Sequence, residues 1–192
     1  MARILYQSGI PRILPKWEAY LSGLMDSAGI SEITLSSTYR TPLQGAMAMY
    51  NNAVKSGTVK AAGIYAAPGK SVIQTMIQAL AAKKNPGDTI AAMAAKITAV
   101  GAGNVSKHCT PPSENFVVFD VSPQSIPENK RASFEQAIKK NASKVILPQT
   151  GEPVYHIEFG GVKMKTVATG GSAILLIAGV IVWYIISKGK IV

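Results

Sequence analysis

Phe116-Val117-Val118-Phe119-Asp120-Val121 decides the fold class. Five of these six residues are β-branched or aromatic, a composition that suits a strand. The stretch is apolar on both faces except at Asp120. A carboxylate inside such a strand is costly unless it is paired or holds a cation. Outward on the C-terminal side, Pro127–Asn141 has the spacing of an amphipathic helix, with Phe134, Ala137 and Ile138 on one face. Lys144–Leu147 and Pro153–Phe159 are then expected as strands.

Outward on the N-terminal side, Pro15–Ala28 places Trp17, Tyr20, Leu21 and Leu24 at helical spacing and stops at Gly29. Ile33–Ser37 is a short strand. Thr41 is the expected cap of a helix that opens at Pro42 and runs to about Lys55. The Ala-rich stretch 56–103 predicts two helices, Ser71–Lys84 and Asp88–Val100, joined by Asn85-Pro86-Gly87, with Ser71 as a cap. This order predicts an α+β domain over 1–162, with a small, mostly antiparallel sheet packed with helices and the Ala-rich stretch as an insert. The length suits a single sizeable core.

The remainder, 163–192, is expected to be a membrane anchor. Val167–Ile186 is uncharged over 20 residues, with Lys163 and Lys165 before it and Lys188 and Lys190 after it. As a helix it would span about 30 Å, the thickness of a bilayer core. Lysines on both sides leave its orientation open. The N-terminus has no apolar run of useful length, so no secretory signal peptide is expected. Up to Thr166 the chain carries 18 basic and 10 acidic residues, a net charge of +8. That suits anionic lipid or acidic polymers. Nucleic acid is not expected as a partner, because the lysines form neither a run nor an Arg/aromatic stripe. Cys109 is the only cysteine, which excludes an intrachain disulfide and a Cys-rich metal site.

Two histidines exist, His108 and His156. Two imidazoles with one carboxylate, Asp120, make a sound set of ligands for Zn²⁺ that leaves a position for water. Glu152 or Glu158 is then a candidate general base. Gly63–Ser71 departs from the phosphate-loop spacing and lacks a strand before it, so it is not read as a nucleotide site.

Three blocks resemble a known family. Ser36-Ser37-Thr38-Tyr39-Arg40-Thr41-Pro42, then Ser106-Lys107-His108 with Phe119-Asp120-Val121, then Glu152-Pro153-Val154-Tyr155-His156-Ile157-Glu158-Phe159 resemble, in order, the motifs of the D-alanyl-D-alanine carboxypeptidase and endopeptidase family of zinc peptidases. That family includes vancomycin-resistance carboxypeptidases and phage endolysins. The resemblance implies that His108, Asp120 and His156 hold Zn²⁺ and that Glu152 is the catalytic base. It also implies that Arg40, Tyr39 and Ser106 bind substrate. The 11 residues between His108 and Asp120 exceed the family's usual spacing, and Glu152 stands one residue further from His156 than is usual. The resemblance together with the anchor implies a membrane-bound zinc peptidase acting on peptidoglycan peptides, in a virion's internal membrane or a bacterial inner membrane. The alternative is a non-catalytic structural membrane protein that keeps the fold and binds capsid or other virion proteins. A membrane-bound nucleic-acid binder is a third reading.

Overall fold

The computed structural model describes residues 2–148 and 153–160, together with the backbone of three short strands, Ala168–Thr169, Ser172–Ile177 and Val180–Trp183. In chain order the elements are β1 (Arg3–Tyr6), α1 (Pro15–Ser27), β2 (Glu32–Ser37), α2 (Pro42–Ser56), α3 (Thr58–Ile64), α4 (Ala67–Ala81) and α5 (Pro86–Ala99). They continue with α6 (Ala102–Val105), β3 (Phe116–Val121), α7 (Glu128–Asn141), β4 (Lys144–Ile146) and β5 (Tyr155–Gly160). The expected α+β class is observed. The sheet is mixed, in the order β1-β2-β3-β5-β4. β1 and β2 run parallel and the other pairs antiparallel. A parallel pair needs a long crossover, and α1 supplies it.

The chain divides into two units, Met1–Thr38 with Pro112–Val192, and Tyr39–Pro111. The apolar side chains correspondingly form two cores rather than the single one expected. In the first unit, alternation along the strands turns Val117, Phe119 and Val121 of β3, and Tyr155, Ile157 and Phe159 of β5, into one core. Trp17, Leu21 and Leu24 of α1 and Phe134 and Ile138 of α7 complete it. Trp17 stacks on Phe159 with ring centroids 5.9 Å apart. Its indole N–H donates to the Ser113 carbonyl at 2.9 Å, so burial leaves no polar atom of the ring unpaired.

β1 was not anticipated from the sequence. Its four residues are too few for a periodic signal, and its parallel pairing with β2 depends on chain 29 residues away, as in Arg3↔Glu32 and Tyr6↔Leu35.

In the second unit, α2 begins with a full capping box: Thr41 accepts from the Gln44 N–H, and the Gln44 side chain accepts from the Thr41 N–H. Asn85 likewise caps α5, accepting from the Asp88 N–H at 2.9 Å. Ser71 is not a cap. α4 starts earlier, with Ala66 at the cap position and a proline in its first two residues. Pro68 pre-sets the helical φ, and the Ser71 hydroxyl instead donates back to the Pro68 carbonyl at 2.7 Å. The missing side chain at Gly45 lets α2 lie close against the turn Lys107–Cys109. A Cβ on Gly45 would lie 2.7 Å from the buried Cys109 Sγ.

Two phenols, one half-buried and one buried, make the stability of the first unit sensitive to alkali. The Tyr6 hydroxyl donates to Glu18 at 2.6 Å, and Tyr155 donates to Glu135 at 3.1 Å. Burial first, then these hydrogen bonds to carboxylates, raises both pKa values, that of Tyr155 to about 12. The folded state thus favours the protonated phenols. Their contribution is complete below the ordinary phenol pKa of about 10 and is lost as pH rises through the raised folded values. We expect urea midpoints to fall above about pH 10, with a shallower fall in the Tyr6→Phe/Tyr155→Phe double variant. Identical alkaline profiles would contradict this account.

The segment expected to cross a membrane, Val167–Ile186, lies partly outside the described residues. Its described pieces pair antiparallel, with Ala168 opposite Ala173 and Ile174 opposite Trp183. Among the described residues, no helix is long and apolar enough to cross a membrane.

Candidate metal centre

The same alternation that builds the core sends the remaining side chains of β3 and β5 to the opposite face of the sheet. Asp120 stands directly opposite His156, and Val118 opposite Glu158. His156 and Glu158 are two residues apart in one strand and therefore share that face. The His156 Nδ1 lies 3.0 Å from Asp120 Oδ1, and its Nε2 lies 3.0 Å from Glu158 Oε1. Asp120 and Glu158 are both buried, which explains how a carboxylate is tolerated inside an apolar strand: each meets an imidazole nitrogen. The Lys144 ammonium, 3.6 Å from Glu158 Oε1, adds a positive partner at the rim.

Burial alone would lower the His156 pKa. The hydrogen bonds to Asp120 and Glu158 and the charge of those carboxylates outweigh it, so the net shift is upward.

His108 belongs to a single 3-10 turn, Lys107–Cys109, directly after α6. Its backbone carbonyl accepts from the Arg40 N–H at 2.7 Å, which ties the turn to the segment leading into α2. The side chain is buried. His108, Asp120 and His156 each offer a ligand atom, and these atoms lie within 4.8 Å of one another, a group that could hold a metal ion.

The other expected site residues are placed less sharply. Arg40, Tyr39 and Ser106 are partly exposed; Tyr39 and Arg40 precede α2, and Ser106 precedes the His108 turn. Glu152 lies outside the described residues. Glu158, named from the sequence as a possible base, is engaged with His156 Nε2 instead. The signal for that role is the His-x-Glu spacing in a strand, which puts both side chains on one face.

Cys109, beside His108, is buried, and burial raises its thiol pKa against a smaller lowering by the Arg40 charge. That is the environment of an inert thiol.

Comparison with family models, with curated proteins and with solved structures finds no match to this chain.

Proposed function

We propose that the protein is a membrane-anchored, zinc-dependent peptidase acting on peptidoglycan peptides. The observation that carries this reading is the grouping of His108, Asp120 and His156, with Glu158 seated behind His156. The donor chemistry fits zinc: two imidazoles and one carboxylate are a familiar catalytic set. Glu158 fits as the outer partner. By accepting the Nε2–H it fixes the tautomer and leaves the Nδ1 lone pair on the side of Asp120. The three motif blocks, in the order of the zinc peptidases they resemble, support the same assignment.

Bound by those three side chains, the ion would polarise a scissile carbonyl and activate a water at neutral pH. Glu152 would accept the proton of that water and return it to the leaving amine. The planar donors of Arg40 suit a carboxylate of the peptide, with Tyr39 and Ser106 beside it as substrate-binding groups.

The stretch Val167–Ile186 would be the anchor. An open meander of apolar strands would leave edge N–H and C=O groups unsatisfied in lipid, whereas a helix satisfies all of them internally.

A second reading has its own support. His156 with both ring nitrogens hydrogen-bonded to carboxylates is also a self-sufficient buried ion network. It would serve a non-catalytic scaffold as well. The purified full-length chain separates the two. We expect about one zinc per chain, and chelator-sensitive release of D-alanine or of cross-bridge amines from peptidoglycan peptides. A chain free of metal after zinc loading would end the enzyme reading.

A further inference from the structure

The positive charge of this protein is concentrated in one place. The Tyr39–Pro111 unit carries eight basic residues and one acidic residue, Asp88, for a net charge of +7 out of the +8 found up to Thr166. No carboxylate occurs between Glu32 and Asp88. The same unit carries every exposed large apolar side chain found among the described residues, and all of them lie on α2, α3 and α4. On α2, Leu43, Met47 and Val54 fall within about 40° of helical arc. Met49 and Ala53, on another side of that helix, pack into the core. On α3, Val59 is 87 % and Ile64 61 % exposed. Leu80 continues the set on α4. The exposed lysines Lys55, Lys60, Lys70, Lys83 and Lys84 are on or beside these three helices.

We propose that α2, α3 and α4 form a docking surface for an anionic lipid bilayer. Apolar side chains with lysines and no carboxylates are the make-up of an interfacial surface. The apolar groups enter the acyl boundary while the ammonium groups meet lipid phosphates, their alkyl stems adding apolar area. A second copy of the chain fits poorly, because two faces of this charge repel each other. Nucleic acid fits poorly as well. Its phosphates would use the lysines and leave the apolar side chains without a role, and no exposed aromatic ring is present among them for stacking. The proposal rests on no part of the metal reading, and the zinc content can come out either way without touching it.

The test uses the full-length chain with Val59→Cys carrying an environment-sensitive fluorophore, in vesicles of phosphatidylcholine with or without phosphatidylglycerol. Cys109 is buried, and the wild-type chain treated with the same reagent is the blank. Lys140→Cys, exposed on α7 of the other unit, is the control position. The label at 59 should shift to the blue and be quenched by a bilayer-embedded quencher in the anionic vesicles only, and high salt should reverse this. Adding Lys55→Glu and Lys60→Glu should lower the lipid-inserted fraction about tenfold or more. A label that stays in water in anionic vesicles would overturn the proposal. So would a shift that follows protein concentration without lipid, or one produced by DNA in place of vesicles.

Discussion

Replacing His156 by alanine is expected to reduce bound zinc from about one ion per chain to background and to abolish peptide hydrolysis, because two ligands no longer complete a site. Glu158→Gln is the informative partner. The amide oxygen still accepts the His156 Nε2–H, so the ring keeps its orientation, but the negative charge that strengthens it as a donor is gone. Loss of such an outer partner typically weakens metal affinity about 10–100-fold. The expected series is therefore wild type, then Glu158→Gln, then His156→Ala, in falling order of zinc affinity by competition with a chelator. His156→Ala also leaves Asp120 and Glu158, both buried, without their shared partner, and it could unfold the sheet. His156→Gln, which can hydrogen-bond to both carboxylates, controls for that. If it keeps the amide-exchange protection of β3 and β5 while zinc is lost, the loss is one of ligation. Equal zinc in all four proteins would refute the assignment.

Phe159→Ala should have the largest effect on stability. Phe159 lies in β5 and is buried, and it touches three other rings. Trp17 stacks on it, Tyr20 meets it edge-on at 5.2 Å, and Phe119 is tilted against it at 5.8 Å. It thus joins α1 to the sheet. Truncating a buried Phe typically costs about 3–5 kcal/mol through lost transfer energy and the cavity left behind. The ring pairs add to that, each worth about 0.5–1.5 kcal/mol beyond area. Hydrogen exchange at β3 and β5 amides, which reads this unit separately from the Tyr39–Pro111 helices, should show the loss. Because Phe159 faces the core and His156 the opposite side of the same strand, zinc should still bind at temperatures where the variant is folded. A change below about 1 kcal/mol would mean that the cavity collapses or that α1 is not held by these rings.

Much of the architecture is legible along the chain. Pro15, Pro42 and the Asn85-Pro86-Gly87 joint mark helix starts through backbone chemistry that acts within a few residues. FVVFDV and YHIEFG declare themselves as strands by composition. The failures share a cause. Ser71 carries a cap-forming side chain, but Pro68, three residues earlier, already sets the helix start. β1 has no local signature, since its hydrogen bonds are to β2.

The candidate site divides the same way. Asp120, His108 and His156 stand out in sequence because a carboxylate in an apolar strand and the only two imidazoles of the chain require an explanation. Glu158 looked like a base until the strand register gave it to His156.

By itself, then, the sequence determined the α+β class, most element boundaries, the charge excess and the uncharged 20-residue stretch near the C-terminus. These depend on local propensity and composition, which each residue carries wherever it is placed. Only the tertiary structure decided that the apolar residues form two cores, that Asp120 faces His156, and that His156 reaches Glu158 through its other nitrogen. Those depend on strand register and long-range packing, in which a shift of one residue turns every side chain to the opposite face.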